Sequence, residues 1–323
     1  MTRKAVEKGF TLVELMVSLV IFSFAIAGVL AVAVAMTRAY REQRRVIATE
    51  NAVRAPLDFI VDALRQASPG VTTATITDAQ DCTFAAGAIS FVDNTTEPDE
   101  LTIVYASGGV VSATYTAFTA SSTSITIPAA HVDQFATGDY VLVSDGAQGT
   151  LVAVTGVGTD TLTVAPTCGT AFPTGGYAAG SILVRAQRAR FTIEDLDGIP
   201  TLWLYPNGST DKEPVAESIE DLQVALGIDV DGDGAITGNI ITYGTGTTTD
   251  EWTGNASGDV LPAGSVRAVH VALVSRDIAP IRGTASFYEP AYALNHSGST
   301  TADNFRRRML NSTVEIRNLA GSP

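Results

Sequence analysis

Three aspartates at alternate positions have the residue type and the spacing of a metal site. Asp229, Asp231 and Asp233 lie in the run Asp-Val-Asp-Gly-Asp-Gly. Carboxylates at positions 1, 3 and 5, with a turning glycine at position 6, match the first half of an EF-hand calcium loop. This run makes calcium the one candidate cofactor.

The second half of the run departs from the EF-hand pattern. Its twelfth position is Ile240, so the bidentate glutamate is missing. A carboxylate from the next segment would have to replace it, and the candidates are Asp250, Glu251 and Asp259. The alternative is an Asp/Gly-rich hairpin turn with solvated carboxylates. The sequence leaves both interpretations open.

The chain contains two cysteines, Cys82 and Cys168. A cysteine pair in a chain exported to an oxidising compartment is a candidate disulfide. Their neighbours, in Asp-Cys-Thr and Thr-Cys-Gly, are typical of loops, where a bond would join distant turns. We predict the disulfide; the alternative is two unpaired thiols.

The sequence offers no recognisable set of catalytic residues. The three histidines, His131, His270 and His296, are scattered, without a glutamate or cysteine at metal-ligand spacing. Neither a Gly-x-Ser-x-Gly elbow nor a phosphate-binding Gly-Lys-Ser/Thr is present. We therefore predict that the protein is not an enzyme.

The charge distribution argues against direct nucleic-acid binding. Residues 1–45 hold seven basic and three acidic residues, whereas residues 46–323 hold 13 basic and 31 acidic residues. Binding to nucleic acid requires clusters of Lys and Arg that neutralise phosphates. A body this acidic lacks that property.

The candidate residues lie in a β-rich region that follows one long helix. Short runs rich in Thr, Val and Ile predict eleven strands. No second long amphipathic pattern occurs, so the predicted fold class is α+β with mainly antiparallel sheets. The predicted strands are Ile89–Asp93, Leu101–Tyr105, Thr123–Ile127, Tyr140–Ser144, Thr150–Thr155, Thr161–Ala165, Ile182–Ile193, Thr201–Tyr205, Ile219–Ile228, Val266–Ser275 and Thr313–Arg317.

The helix is predicted from two successive patterns. Residues 15–36 are 22 residues without a charge, about 33 Å of helix, which is enough to cross a bilayer core of about 30 Å. Apolar residues between Val46 and Ala67 then recur at helical spacing and predict an amphipathic stem. Pro56 is predicted to kink or restart this stem, and Pro69-Gly70 to end it.

The beginning of the chain decides among several kinds of membrane segment. A cleaved secretory signal would have a shorter apolar run, although Ala-Val-Ala at 31–33 or at 33–35 could serve as its cleavage site. A plain anchor explains the length but not the carboxylate of Glu14 just ahead of the run. The run Lys-Gly-Phe-Thr-Leu-Val-Glu-Leu at 8–15 instead resembles the signal of type IV prepilins and type II secretion pseudopilins.

That resemblance implies a role for three residues. Prepilin peptidase would cleave between Gly9 and Phe10, and the new amino group of Phe10 would be methylated. A carboxylate retained within a bilayer usually has a partner. For Glu14, the implied partner is the Phe10 ammonium of a neighbouring subunit.

The C-terminal strands extend the resemblance. The segments at 219–234, 266–276 and 306–319 are similar to the PilW group of minor pilins, which is related to the J-type minor pseudopilins of type II secretion. The similarity is weak between about 72 and 180. Within this part, residues 121–168 are predicted to be an inserted, small β-barrel-like unit.

The resulting prediction is a type IV pilin-like protein in six parts. They are a leader (1–9), a transmembrane helix (10–37), an amphipathic stem (38–68), a β body (69–120 and 169–323) and the insertion (121–168). The resemblance implies a minor pilin at or near the pilus tip that helps to prime assembly. The alternatives are a minor pseudopilin and a tip adhesin that binds a ligand through the insertion.

The same resemblance implies partners and a location. The partners would be other minor pilins, the major pilin, prepilin peptidase and the inner-membrane assembly platform. The protein would cross the bacterial inner membrane once, with its body outside the cytoplasm. It would then enter a pilus or pseudopilus at the cell surface or in the periplasm.

Overall fold

The computed structural model describes nine segments of the chain. They are 11–67, 75–94, 96–168, 172–238, 251–254, 265–280, 292–294, 296–297 and 302–316. The predicted cleavage residues, Gly9 and Phe10, lie outside these segments, as do Asp250 and Asp259. The chain forms two compact units, residues 1–48 and 49–323.

One long helix, α1, runs from Leu12 to Arg65. In the first unit, its side chains from Leu12 to Met36 are exposed, and this stretch is long and apolar enough to cross a membrane. In the second unit, one face of the helix is buried, with Val53, Ile60 and Leu64 fully covered. The helix continues through Pro56, so the predicted restart at this proline is wrong.

Seventeen strands and one short helix follow in the described residues. The strands are β1 (Ile76–Asp78), β2 (Ala85–Ala86), β3 (Ile89–Val92), β4 (Glu100–Ala113), β5 (Ser124–Thr126), β6 (Tyr140–Ser144), β7 (Gly149–Val157), β8 (Thr161–Val164), β9 (Ile182–Leu196), β10 (Ile199–Pro206), β11 (Glu213–Glu217), β12 (Ile219–Asp229), β13 (Trp252–Thr253), β14 (Ser265–Arg276), β15 (Tyr292–Ala293), β16 (His296–Ser297) and β17 (Arg307–Glu315). The short helix, α2, spans Ala129–Val132. Each of the eleven predicted strands overlaps an observed strand, although β17 ends at Glu315 and Arg317 of the last prediction lies outside the described residues. The α+β class is confirmed.

The strands form an 11-stranded sheet, a four-stranded sheet and a small hairpin. The four-stranded sheet has the order β13-β12-β14-β17. All its pairs are antiparallel, and the parallel pair β1–β7 is the exception in the larger sheet. In the larger sheet, short connections join antiparallel neighbours such as β9 and β10.

Two long strands connect two hydrophobic cores within the body. β4 and β9 pair from Leu101 opposite Phe191 to Ala113 opposite Ile182. At one end, they contribute Leu101 and Phe191 to a core that α1 and both sheets share. Towards the other end, β9 contributes Leu183 to a separate core. The strands therefore carry the chain from the helix-covered core into the second core and back.

The second core belongs to the segment between β4 and β9. Its members include Ile125, Val141 and Leu162 from the predicted insertion, together with Phe118 and Tyr177 from outside the predicted bounds. The backbone N–H of Thr114 donates to the carbonyl of Ser181 at 2.8 Å, so the two ends of this segment lie side by side. The division at 121–168 itself stays a prediction.

Candidate functional site

The start of α1 is closed by a reciprocal pair of side chains. The N–H and the hydroxyl of Thr11 donate to Glu14 Oε2 at 3.0 and 2.9 Å. The N–H of Glu14 donates back to Thr11 Oγ1 at 3.2 Å. This is a capping box, in which the N-cap residue and the third helical residue satisfy N–H groups that the first turn leaves unpaired.

The cap fixes the carboxylate of Glu14 at the positive end of the helix. The unpaired N–H groups of a helix N-terminus favour a negative charge there. Among the described residues, the second oxygen of Glu14, Oε1, accepts no hydrogen bond. The carboxylate is therefore oriented by Thr11 and still able to accept a bond from another molecule. The spacing Thr-x-x-Glu signals such a cap in the sequence, but the cap was not predicted.

The helix that follows presents an apolar surface with few polar groups. Phe24 and Val29 are 76% and 70% exposed. The hydroxyls of Ser18, Ser23 and Thr37 donate to the carbonyls of Leu15, Leu19 and Ala33 at 2.7–2.9 Å. Because a bilayer cannot hydrogen-bond such groups, bonds within the helix suit an apolar environment.

The three aspartates predicted to bind calcium come together. Oxygens of Asp229, Asp231 and Asp233 lie within 4.8 Å of one another. Asp229 is buried, and its two oxygens accept N–H bonds from Gly232 at 2.7 Å and Gly234 at 3.2 Å. These bonds wrap the loop around one carboxylate. Three carboxylates so placed fit a hard cation such as Ca²⁺.

Two further charged residues shape this loop. Arg267 on β14 donates to Asp229 Oδ2 from Nε at 3.0 Å and pairs through Nη2 at 2.9 Å. Glu251 is fully buried and accepts the N–H groups of Val230 and Thr237, both at 2.8 Å. Sequence analysis named Glu251 as a substitute ligand but missed Arg267, because 38 residues separate the arginine from Asp229.

The hydrogen bonds to Glu251 favour its ionised form. Burial disfavours the charged form, but the N–H groups of Thr237 and Val230 outweigh it, so the pKa of Glu251 is lowered. In the structure this carboxylate closes the loop through backbone bonds. Calcium binding by Asp229, Asp231 and Asp233 stays a prediction.

The two cysteines are bonded to each other in the structure. The sulfur atoms of Cys82 and Cys168 lie 2.09 Å apart, across a sequence separation of 86 residues. The N–H groups of Thr167 and Cys168 also donate to the carbonyl of Ala79, at 2.9 and 3.1 Å. Together these contacts hold the segment after β8 against the turn after β1.

Two parts of the chain, one near each end, match known protein families. Residues 4–30 match the prokaryotic N-terminal methylation motif, and residues 190–318 match the type IV pilus-assembly protein W family, PilW. These two matches support a type IV pilus minor pilin with PilW-like features. The first match includes Glu14. The second begins within β9 and includes β17 and the loop that holds Asp229, Asp231 and Asp233.

Further comparisons found similar solved structures but no similar curated protein. A type IV-like pilin from Thermus thermophilus is 17% identical to this PilW-like pilin, with 57% of this chain and 87% of that chain covered and a TM-score of 0.24. A search of curated proteins found no match. The family matches indicate a structural, membrane-anchored subunit that interacts with other pilus components and with the membrane assembly machinery.

Proposed function

We propose that this PilW-like pilin lies at or near the tip of a type IV pilus and helps to prime its assembly. The match to a pilus-assembly family supports a role in assembly, and the oriented carboxylate of Glu14 at the head of an exposed apolar helix supports incorporation into a filament. In a plain anchor this carboxylate would serve only as a helix cap. A subunit that packs beside other helices can pair this carboxylate with a neighbour's amino terminus.

In this proposal, prepilin peptidase cleaves between Gly9 and Phe10, and the Phe10 amine is then methylated. The subunit waits in the inner membrane with its body outside the cytoplasm. The assembly platform moves it into a filament with other minor pilins and the major pilin. There Oε1 of Glu14 accepts a hydrogen bond from the amino-terminal ammonium of a neighbouring subunit.

The charge on Glu14 is tested by two substitutions that separate it from the cap. Glutamine also serves as the third residue of a capping box, so Glu14→Gln keeps the bond from Thr11 and removes the charge. Glu14→Ala removes both. An unpaired buried charge costs about 3–5 kcal/mol, enough to lower incorporation at least a hundredfold.

We expect both variants to be inserted into the membrane and cleaved, yet to be depleted from sheared pili and from pull-downs with other minor pilins. If Glu14→Gln is recruited as well as the wild type and only Glu14→Ala fails, the residue acts as a helix cap and the pairing role is wrong. Normal recruitment of both variants removes the pairing role or places this subunit first in the filament, where no subunit lies ahead.

Deletion of the whole gene tests the position and the priming role. If the subunit primes assembly, its deletion is expected to reduce the number of pili while leaving the secretion of folded exoproteins intact. Normal piliation combined with a secretion defect would instead identify a minor pseudopilin. Complementation with the wild-type chain is the control.

A further inference from the structure

A cleft of about 560 Å³ lies beside the disulfide. Cys82 and Cys168 both line it, so their bond joins two of the segments that form the cleft. Thr75, just before β1, and Thr77, within β1, line it as well. Ligand pockets have volumes of about 300–1,000 Å³ and are largely formed before the ligand binds. The cleft therefore has the size of a ligand pocket.

The cleft presents no exposed charge to an occupant. Of its lining residues, all of which belong to the described part of the chain, Asp78 alone has an acidic or basic side chain. That side chain is fully buried, and its Oδ2 lies 3.4 Å from Nε of Arg188. Anionic ligands are usually bound by Arg or Lys, and hard cations by several carboxylates. The lining therefore favours a neutral ligand.

One side of the cleft is the end of a chain of hydroxyl groups. Thr77 Oγ1 lies 3.3 Å from Thr150 Oγ1, which lies 3.0 Å from the hydroxyl of Tyr177. Thr77 Oγ1 is also 3.4 Å from the carbonyl of Gly149. Burial raises the pKa of Tyr177 to about 12, so its hydroxyl keeps its proton. Because each hydroxyl can donate or accept, the chain can reverse, and Thr77 can bond either a donor or an acceptor.

The other polar groups of the cleft have hydrogen-bonding capacity to spare. Among the described residues, the hydroxyls of Thr75 and Thr174 make no hydrogen bond, and the side-chain amide of Gln148 makes only one, at 3.5 Å. Phe84 and Pro173 add apolar surface. A sugar ring has C–H groups on its faces and hydroxyls around its rim. Hydroxyls and an amide beside an apolar wall are therefore suited to a sugar.

We propose that this cleft binds a neutral sugar residue. The threonine hydroxyls and the Gln148 amide bond the hydroxyls of the sugar, and Phe84 contacts its C–H groups. Such a residue can come from a polysaccharide on a surface or from a free saccharide, and the experiment separates these sources. This binding site goes beyond the proposed role in pilus assembly and does not depend on it.

The first test compares neutral and charged sugars. Full-length protein in a detergent without sugar groups is studied by saturation-transfer NMR with maltose, cellobiose, galactobiose and mannobiose, and with glucuronate and glucosamine as charged controls. We expect at least one neutral disaccharide to bind more strongly than either charged sugar. Retention on the corresponding polysaccharide would identify a polymer as the source, and binding of the disaccharide alone a free saccharide. Binding of no neutral sugar, or a preference for a charged one, would overturn the proposal.

The second test changes the cleft itself. Thr77→Val keeps the shape of the side chain and removes its hydroxyl, while Thr102→Val makes the same change at a half-buried position of β4 outside the cleft. Ala85→Trp fills the cleft from an exposed position of β2, and Ala147→Trp is its exposed control outside the lining.

We expect sugar binding at least tenfold weaker for Thr77→Val and Ala85→Trp and unchanged for the two controls. Near-ultraviolet circular dichroism checks that all four variants fold. Wild-type sugar binding by both Thr77→Val and Ala85→Trp would place the sugar elsewhere and refute the assignment of this cleft.

Discussion

The disulfide between Cys82 and Cys168 permits a quantitative prediction. The bond closes a loop across a separation of 86 residues. In the chain-entropy model, cross-linking a loop of that length removes enough freedom from the unfolded chain to stabilise the folded body by about 4 kcal/mol. We therefore expect the double variant Cys82→Ser/Cys168→Ser to fold with a melting temperature lower by roughly 10 °C, since about 1 kcal/mol shifts a large domain by 2–4 °C.

The effect should be concentrated in one part of the body. The bonded segment borders the second core, whereas α1 packs on the first core. Limited proteolysis of the double variant is expected to cut first between Ala113 and Ile182. As a control, dithiothreitol should lower the melting temperature of the wild type and leave the double variant unchanged. Two labelled thiols in the unfolded, unreduced wild type, or equal melting temperatures for both proteins, would refute the reasoning.

Three further predictions concern processing, metal binding and pH. Replacement of Gly9 by a bulkier residue should block cleavage, whereas mass spectrometry of the assembled wild type should find a methylated Phe10 at the N-terminus. A mature start at Met36 would instead identify an ordinary signal peptide and contradict the pilin signal. Calcium should raise the melting temperature of the protein, EDTA should reverse the gain, and Asp231→Ala and Asp233→Ala should each abolish it; an unmoved melting curve at millimolar calcium would leave only a turn. Burial raises the pKa of Asp99 to about 8 despite two backbone N–H bonds. Below about pH 4 the carboxyl is protonated in both the folded and the unfolded chain, so its contribution to stability is fully present. This contribution is lost as the pH rises towards 8. Asp99→Asn should therefore flatten the decline in unfolding free energy between pH 4 and 8, and an unchanged slope would refute the shift.

The sequence revealed the strands well because most have alternating or continuously apolar residues. It underestimated β4, for which only Leu101–Tyr105 was predicted. Gly108 has a φ of +75° and lies where the pairing with β9 shifts register, so a bulge within one strand resembled a turn. β11 was missed because Glu-Pro-Val-Ala-Glu has low strand propensity, and its pairing with β10 supplies what propensity does not.

The candidate site was predictable where its residues are neighbours in sequence. The aspartates at 229–233 were visible from their spacing, and Glu14 from the resemblance of residues 8–15 to the prepilin signal. Arg267 and its bond to Asp229 were not, because only the pairing of β12 with β14 brings them together. The same holds for Arg188, which is buried, pairs with Asp81 at 2.9 Å and lies 107 residues from it.

The pairing of β4 with β9 has a mechanical consequence. Both strands leave the first core side by side and enter the second core, so a pull on the second core acts along their length. Such a load shears the hydrogen bonds to β3 and β10 together instead of opening them one after another. Tension applied to the second core is thus shared across the hydrogen bonds of β4 and β9 with their neighbouring strands before it reaches the first core.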